Sequence, residues 1–303
     1  MPADRPPTID PIAALRWAAT AQDTSAWLHE EVARRMEERL QWIKLQPRVW
    51  ADWEPVQGGL DAHEALARRY PQAQCYVVEN NVKRASIAAQ ALRKPWWTRA
   101  RWTRPVPRFE LPPEGAAQMV WANMLLHMSA DPQELISQWF RALSPDGFLM
   151  FSCLGPDTLR ELRAMYQALG WPPPGHEFTD MHDWGDMLVS AGFAEPVMDM
   201  ERITLTFASA DRLLAELRQL GRNLHPERFS GLRGKAWRAQ LSQAWLHLEP
   251  ESTVGQQPLT FEIIYGHALK PQPRLTMQRE TVLSLDQMRN ELQRGKGVLG
   301  ALS

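Results

Sequence analysis

The chain has 303 residues, 44% of them hydrophobic, and a formal net charge of -1. That suits one large α/β domain with an insertion or two smaller domains, and the neutral balance leaves local charge clusters to decide about acidic partners. Cys75 and Cys153 lie far apart in apolar runs without CxxC spacing, which reads as two buried thiols, with a disulfide or metal site as the weaker alternative. No apolar run reaches about 18 residues, so no transmembrane helix is expected. The N-terminus lacks the basic flank and apolar core of a secretory leader, which makes a cytoplasmic protein the expectation.

Residues 1–13 read as a disordered tail. Trp27–Leu45 is helical, because Leu28, Val32, Met36, Leu40 and Ile43 form one apolar stripe. Val49–Trp53 is a candidate strand, and Gly58 and Gly59 open a helix over Leu60–Tyr70 that Pro71 ends. Cys75–Val78 is a compact strand, followed by a helix through Ala85–Leu92 and an irregular stretch rich in Pro, Trp and Arg over Lys94–Pro107. Gln118–Ala122 is a strand, Pro132–Leu143 an amphipathic helix, Ser144–Gly147 a turn and Phe148–Cys153 a strand. Residues 156–169 and Asp183–Ala191 are helical. Val197–Met200 and Ile203–Phe207 are strands, and Asp211–Leu220 and Arg233–His247 form a helical insertion near 208–250. Thr260–His267 is the last strand. Residues 269–303 make a polar tail with a possible peripheral helix at 285–294. Strands alternating with helices imply an α/β fold: a mostly parallel sheet, helices on both faces and an antiparallel edge near the C-terminal end.

In an open parallel sheet, ligands bind beyond the carboxyl ends of the strands. After the first strand comes Glu54-Pro55-Val56-Gln57-Gly58-Gly59, either a bare turn or a place where glycines let backbone approach a ligand. Glu79 ends the second strand and precedes Asn80. It is either a helix-cap acid or a carboxylate that accepts the two ribose hydroxyls of an adenosine. His127, after the third strand, is a base, a substrate donor or a buried hydrogen-bonding residue. Residues 80–109 hold eight basic residues and no acid: Lys83, Arg84, Arg93, Lys94, Arg99, Arg101, Arg104 and Arg108, interleaved with Trp96, Trp97 and Trp102. This is either a surface for an acidic partner or a solvated basic loop with inward-packed Trp rings. No metal spacing, P-loop, GxSxG or Cys-His nucleophile pattern occurs.

Four segments carry a family resemblance. They are Trp27–Leu40, Ala122-Asn123-Met124-Leu125-Leu126-His127-Met128, Phe151–Arg163 with its Gly155-Pro156-Asp157-Thr158, and Asp180–Asp186 with Ala191–Asp199. Over residues 14–268 the chain resembles the Rossmann-like class I S-adenosylmethionine-dependent methyltransferases, and among them the malonyl-acyl-carrier-protein O-methyltransferases of biotin synthesis. The acidic-x-Gly-x-Gly loop of that family reads here Glu54-Pro55-Val56-Gln57-Gly58. Val56 then stands at the first glycine position, where its branched side chain would crowd the methionine part of the cofactor, and Pro55 removes a backbone donor. An N-terminal Tyr-Asp pair is Gln22-Asp23, without the aromatic cover.

The resemblance implies an enzyme that uses S-adenosylmethionine to methylate the free carboxylate of malonyl-acyl-carrier protein. Glu54, Val56, Gly58, Glu79, Asn80, Pro112 and Asn123 would hold the cofactor. Asn123 and His127 would lie near the transferred methyl, with no metal. The implied partner is the acyl-carrier protein, not nucleic acid or a membrane. The competing expectation is a catalytically degenerate binding protein whose basic, Trp-rich stretch 83–108 engages an acidic partner.

Overall fold

The computed structural model describes residues 8–19, 23–93, 96–97, 104–246 and 257–273. The chain divides into a unit ending at Pro271 and a C-terminal stretch, Gln272–Ser303. The expected helix at 285–294 lies outside the described residues, as do Gln22, Lys94, Arg99, Arg101 and Trp102. In the first unit the strands are β1 (Val49–Trp53), β2 (Gln74–Val78), β3 (Ala117–Ala122), β4 (Leu143–Leu154), β5 (Ala194–Phe207) and β6 (Gln257–Leu269). They form one sheet in the order β2-β1-β3-β4-β6-β5. The first four run parallel, and β6 pairs antiparallel with both β4 and β5. This is the expected α/β architecture, with the antiparallel strand one place in from the edge.

Side-chain alternation sends each strand's residues to two cores. Trp50, Trp121, Phe148 and Met150 pack on one face. There the helices are α2 (Trp27–Arg39), α4 (Leu60–Arg69), α5 (Val82–Ala91), α7 (Arg160–Ala168), α9 (Ala210–Leu220) and α10 (Lys235–Leu246). Ala51, Trp53, Val120, Leu149 and Phe151 pack on the other face against α6 (Pro132–Ala142) and α8 (Met181–Ser190). Strands covered on both sides read as near-continuous apolar runs. The exception in β1 is Asp52, which accepts a 2.7 Å hydrogen bond from His63 of α4, because a buried acid needs a partner. Both cysteines are free and buried. Among the described residues, no helix is long and apolar enough to cross a membrane.

Three details differ from the sequence expectations. The N-terminal tail is shorter, since helix α1 spans Pro11–Ala19. Asp10 caps it by accepting from the N–H groups of Ile12 and Ala13, and Pro11 occupies the first helical position, where no donor is needed. Ile9, Ala13 and Trp17 then bury their side chains with Leu224. The turn at 144–147 is a bulge at the start of β4. Pairing jumps from Ala117–Leu143 to Met119–Phe148, and Asp146 takes a φ of 63°. The two short strands expected over 197–207 are one strand, because every residue from Val197 to Phe207 has a partner in β6.

Candidate active site

The chain crosses from β1 to β2 on one side, then places β3 on the other side of β1. Crossovers that diverge this way open a crevice at the carboxyl ends of the two strands. Here the crevice is a cavity of about 440 Å³, walled by Glu54, Gln57, Asn80 and Arg84, by Leu125 and Met128 to Asp131, by Glu134, Leu135 and Gln138 of α6, and by Ala14, Leu15, Trp17 and Ala18 of α1.

Its floor is the segment after β1. Glu54 extends the β1–β2 ladder by donating to Val78 O at 2.8 Å, then turns the chain with a φ of 54°. Its carbonyl accepts from the N–H groups of Gln57 and Gly58, closing a single helical turn, α3 (Pro55–Gly58). Two expectations change as a result. Pro55 sits at a first helical position, so its missing N–H forfeits nothing. Val56 turns its side chain into the α2/α4 core, fully buried, and does not wall the crevice. Its N–H donates to Glu79 Oε1 at 3.0 Å.

Both acids are held from inside. Glu54 Oε1 accepts from Asn80 Nδ2 at 2.9 Å, and Glu54 Oε2 from Arg84 at 2.9 Å. Glu79 Oε2 accepts from Arg84 Nε at 3.0 Å. Burial pushes both carboxyls above their usual range, Glu79 to about 7. Arg84, which composition assigns to a basic surface stretch, is therefore an interior residue. Of the rest of that stretch, Lys83 pairs with Asp23, Arg108 donates to Tyr76 Oη, and Trp96 and Trp97 are exposed and meet edge to face.

Asn123 is buried and fully engaged. Its Nδ2 donates to His29 O at 2.9 Å and to Gly58 O, and its Oδ1 accepts from Ser152 Oγ at 2.6 Å. Gly58 fits closely beneath it, since a Cβ there would lie 3.0 Å from Asn123 O. Asn123 thus clamps α2, α3, β3 and β4 together and lines neither this cavity nor the next. The cavity walls therefore give its expected place near the transferred methyl no support. Pro112 is buried and is likewise absent from the crevice wall.

A second cavity, about 230 Å³, adjoins at Met128, which walls both. His127, His176, Phe178, Tyr166, Arg218 and Arg222 line it, with leucines of α7 and α9. His176 Nε2 donates to His127 O at 2.9 Å, and both rings stand edge-on to Phe178. Burial holds His29 and His176 down at about 4 and His127 well below its ordinary value, so all three are neutral near pH 7. A folded-state value below the unfolded one means that the unfolded chain binds more protons as pH falls from 6.5 toward 4. Stability is then expected to drop across that window, by on the order of 2 kcal/mol per histidine at pH 5 for His29 and His176. The raised Glu79 acts in the opposite sense between pH 7 and 4.5. Urea unfolding at pH 7 and pH 5 checks this, and His176→Asn should show the shallower decline.

The structure thus brings Glu54 and Asn80 to the crevice and His127 to the neighbouring cavity; Val56 and Gly58 belong to the turn beneath the crevice, and Glu79, Asn123 and Pro112 wall neither cavity. Sequence reading missed Trp17, Met128 and Arg222. Asp10-Pro11 and the spacing of Ile9, Ala13 and Trp17 are the signals that point to the first of these.

Comparison with known proteins identifies the family. A family model described as a methyltransferase domain matches residues 58–151. The chain is 38% identical to the malonyl-acyl-carrier-protein O-methyltransferase of Gallionella capsiferriformans over 88% of this chain and 92% of that one. It is 36% identical to the protein of the same name from Methylovorus sp., over 86% and 88%. Among solved structures it resembles a Bacillus subtilis protein, YcgJ, with a TM-score of 0.50, 14% identity, and coverage of 80% of this chain and 99% of that one. It also resembles a Bacillus halodurans protein assigned as a methyltransferase, with a TM-score of 0.54, 14% identity, and coverage of 79% and 100%. These two share the fold. The sequence match over most of both chains shows more: this chain belongs to the malonyl-acyl-carrier-protein O-methyltransferase family.

Proposed function

We propose that the chain is an S-adenosylmethionine-dependent O-methyltransferase acting on the free carboxylate of malonyl-acyl-carrier protein in biotin synthesis. The match to relatives of that name over most of both chains carries the reading. The crevice fits the cofactor's mixed chemistry. Glu54 and Asn80 offer polar contacts at one wall, and Trp17, Leu125 and Leu135 offer apolar cover at others. When bound there, S-adenosylmethionine supplies an electrophilic methyl group. Trp17 on α1 takes the covering role expected of an aromatic near Gln22.

The second cavity receives the acceptor. A carboxylate is nucleophilic at neutral pH, so the chain needs to place it and shed its water rather than deprotonate it. Neutral His127 can give one hydrogen bond without adding charge, while His176, whose single N–H is committed to His127 O, holds that segment in place. Arg222 lines this cavity and also lies 5.3 Å over the ring of Trp17, which walls the crevice. It therefore stands where donor and acceptor meet and is the arginine suited to the malonyl carboxylate. Arg93, Arg104 and the exposed Trp96 and Trp97 suit an acidic carrier surface.

The test is direct. The purified chain, S-adenosylmethionine and malonyl-acyl-carrier protein should yield the methyl ester by intact-protein mass spectrometry, and acetyl-carrier protein should yield none. Equal transfer to both, or none to malonyl-carrier protein, removes the reading.

A further inference from the structure

Arg84 stands between the two acids of the crevice. Asn81 Oδ1 caps α5 by accepting from the N–H groups of Lys83 and Arg84, which fixes the first turn of that helix beside the ends of β1 and β2. From there the guanidinium reaches back. Nε bonds Glu79, one terminal nitrogen bonds Glu54, and the other lies 3.4 Å from Gln57 Oε1. The Arg84 side chain is 2% exposed and that of Glu79 1%. Arg84 and Glu54 wall the crevice, while Glu79 lies behind them and does not.

A nucleoside entering the crevice thus meets the guanidinium first. Its ribose hydroxyls can accept from Arg84, which has donors only. To donate, they need a carboxylate, and Arg84 stands between them and Glu79. Resting on the reading of the crevice as the cofactor site, we propose that Arg84 competes with the cofactor's ribose for Glu79. On binding it releases Glu79 and keeps Glu54, so this one side chain sets the cofactor affinity. The charge-assisted bond given up is part of the binding equilibrium, and removing the competitor tightens the complex.

Isothermal titration of the full chain with S-adenosylhomocysteine tests this. Arg84→Met should bind about tenfold or more tighter than wild type, the equivalent of one such bond. Arg84→Lys keeps a cation between the acids but cannot fork to both, and should tighten binding by a smaller factor. It serves if the methionine variant does not fold. The analogue lacking both ribose hydroxyls should gain nothing in either variant. Equal or weaker binding of S-adenosylhomocysteine by the variants overturns the proposal, as does an equal gain for the analogue. If neither wild type nor variant binds S-adenosylhomocysteine at millimolar concentration, the cofactor reading itself falls.

Discussion

Replacing Arg222 by methionine is expected to lower kcat/KM for malonyl-acyl-carrier protein by about tenfold to a hundredfold, the worth of hydrogen bonds to a charged partner. Binding of S-adenosylhomocysteine should stay nearly unchanged. The residue follows α9, and its position is well defined. One terminal nitrogen donates to Arg218 O at 2.7 Å and to Gly221 O at 2.8 Å, and the guanidinium lies over Trp17. Those contacts leave Nε and the second terminal nitrogen for a bidentate carboxylate. In the free chain the side chain is exposed, so it carries little stability, and the variant should unfold at the wild-type temperature. The loss should appear mostly in KM if the arginine holds the ground-state carboxylate, and in kcat if it aligns the oxygen for transfer. Arg222→Lys should recover only part of the rate, because an ammonium lacks the planar fork. Unchanged kcat/KM in the methionine variant would move carboxylate binding to another arginine, with Arg218 next in line on the same wall.

The strand pattern and the parallel-plus-antiparallel sheet were legible because the strands are nearly continuous apolar runs between helices of clear period. What failed to show was direction and partnership. No spacing rule says that Glu54 turns with a φ of 54° and so aims Val56 at the core rather than at a ligand. Composition placed Arg84 in a basic stretch, yet five residues of cap and first turn return it to Glu79 and bury it. Gly266 reads as an unremarked strand glycine. In the sheet it faces Phe151, whose ring would lie 2.1 Å from an added Cβ. Trp17 sits on a helix whose Asp-Pro start is visible in sequence, but its burial depends on Leu224, a residue far along the chain. Asn123 was placed correctly at the end of β3. Its partners were not legible, because an amide beside a ligand site and an amide clamping backbone look alike in sequence.

That distinction yields the second large effect. Asn123→Ala is expected to destabilise the chain by about 3 kcal/mol or more, since it strips partners from three buried groups: His29 O, Gly58 O and Ser152 Oγ. For a unit of this size the melting temperature should fall by roughly 6–12 °C. Asn123→Asp should be worse, because it cannot donate to either carbonyl and brings a charge into a buried site. Asn123→Ser should also fail to rescue stability, as a single hydroxyl reaches at most one of the two carbonyls. A purely structural clamp predicts that turnover by the folded alanine variant, measured well below its transition, stays within a small factor of wild type. A residue touching the transferred group predicts the reverse, with wild-type stability and a collapsed kcat. The two measurements together separate these roles. The clamp reading is expected to win because both N–H groups of the amide are already committed, one to α2 and one to the turn that carries Gly58.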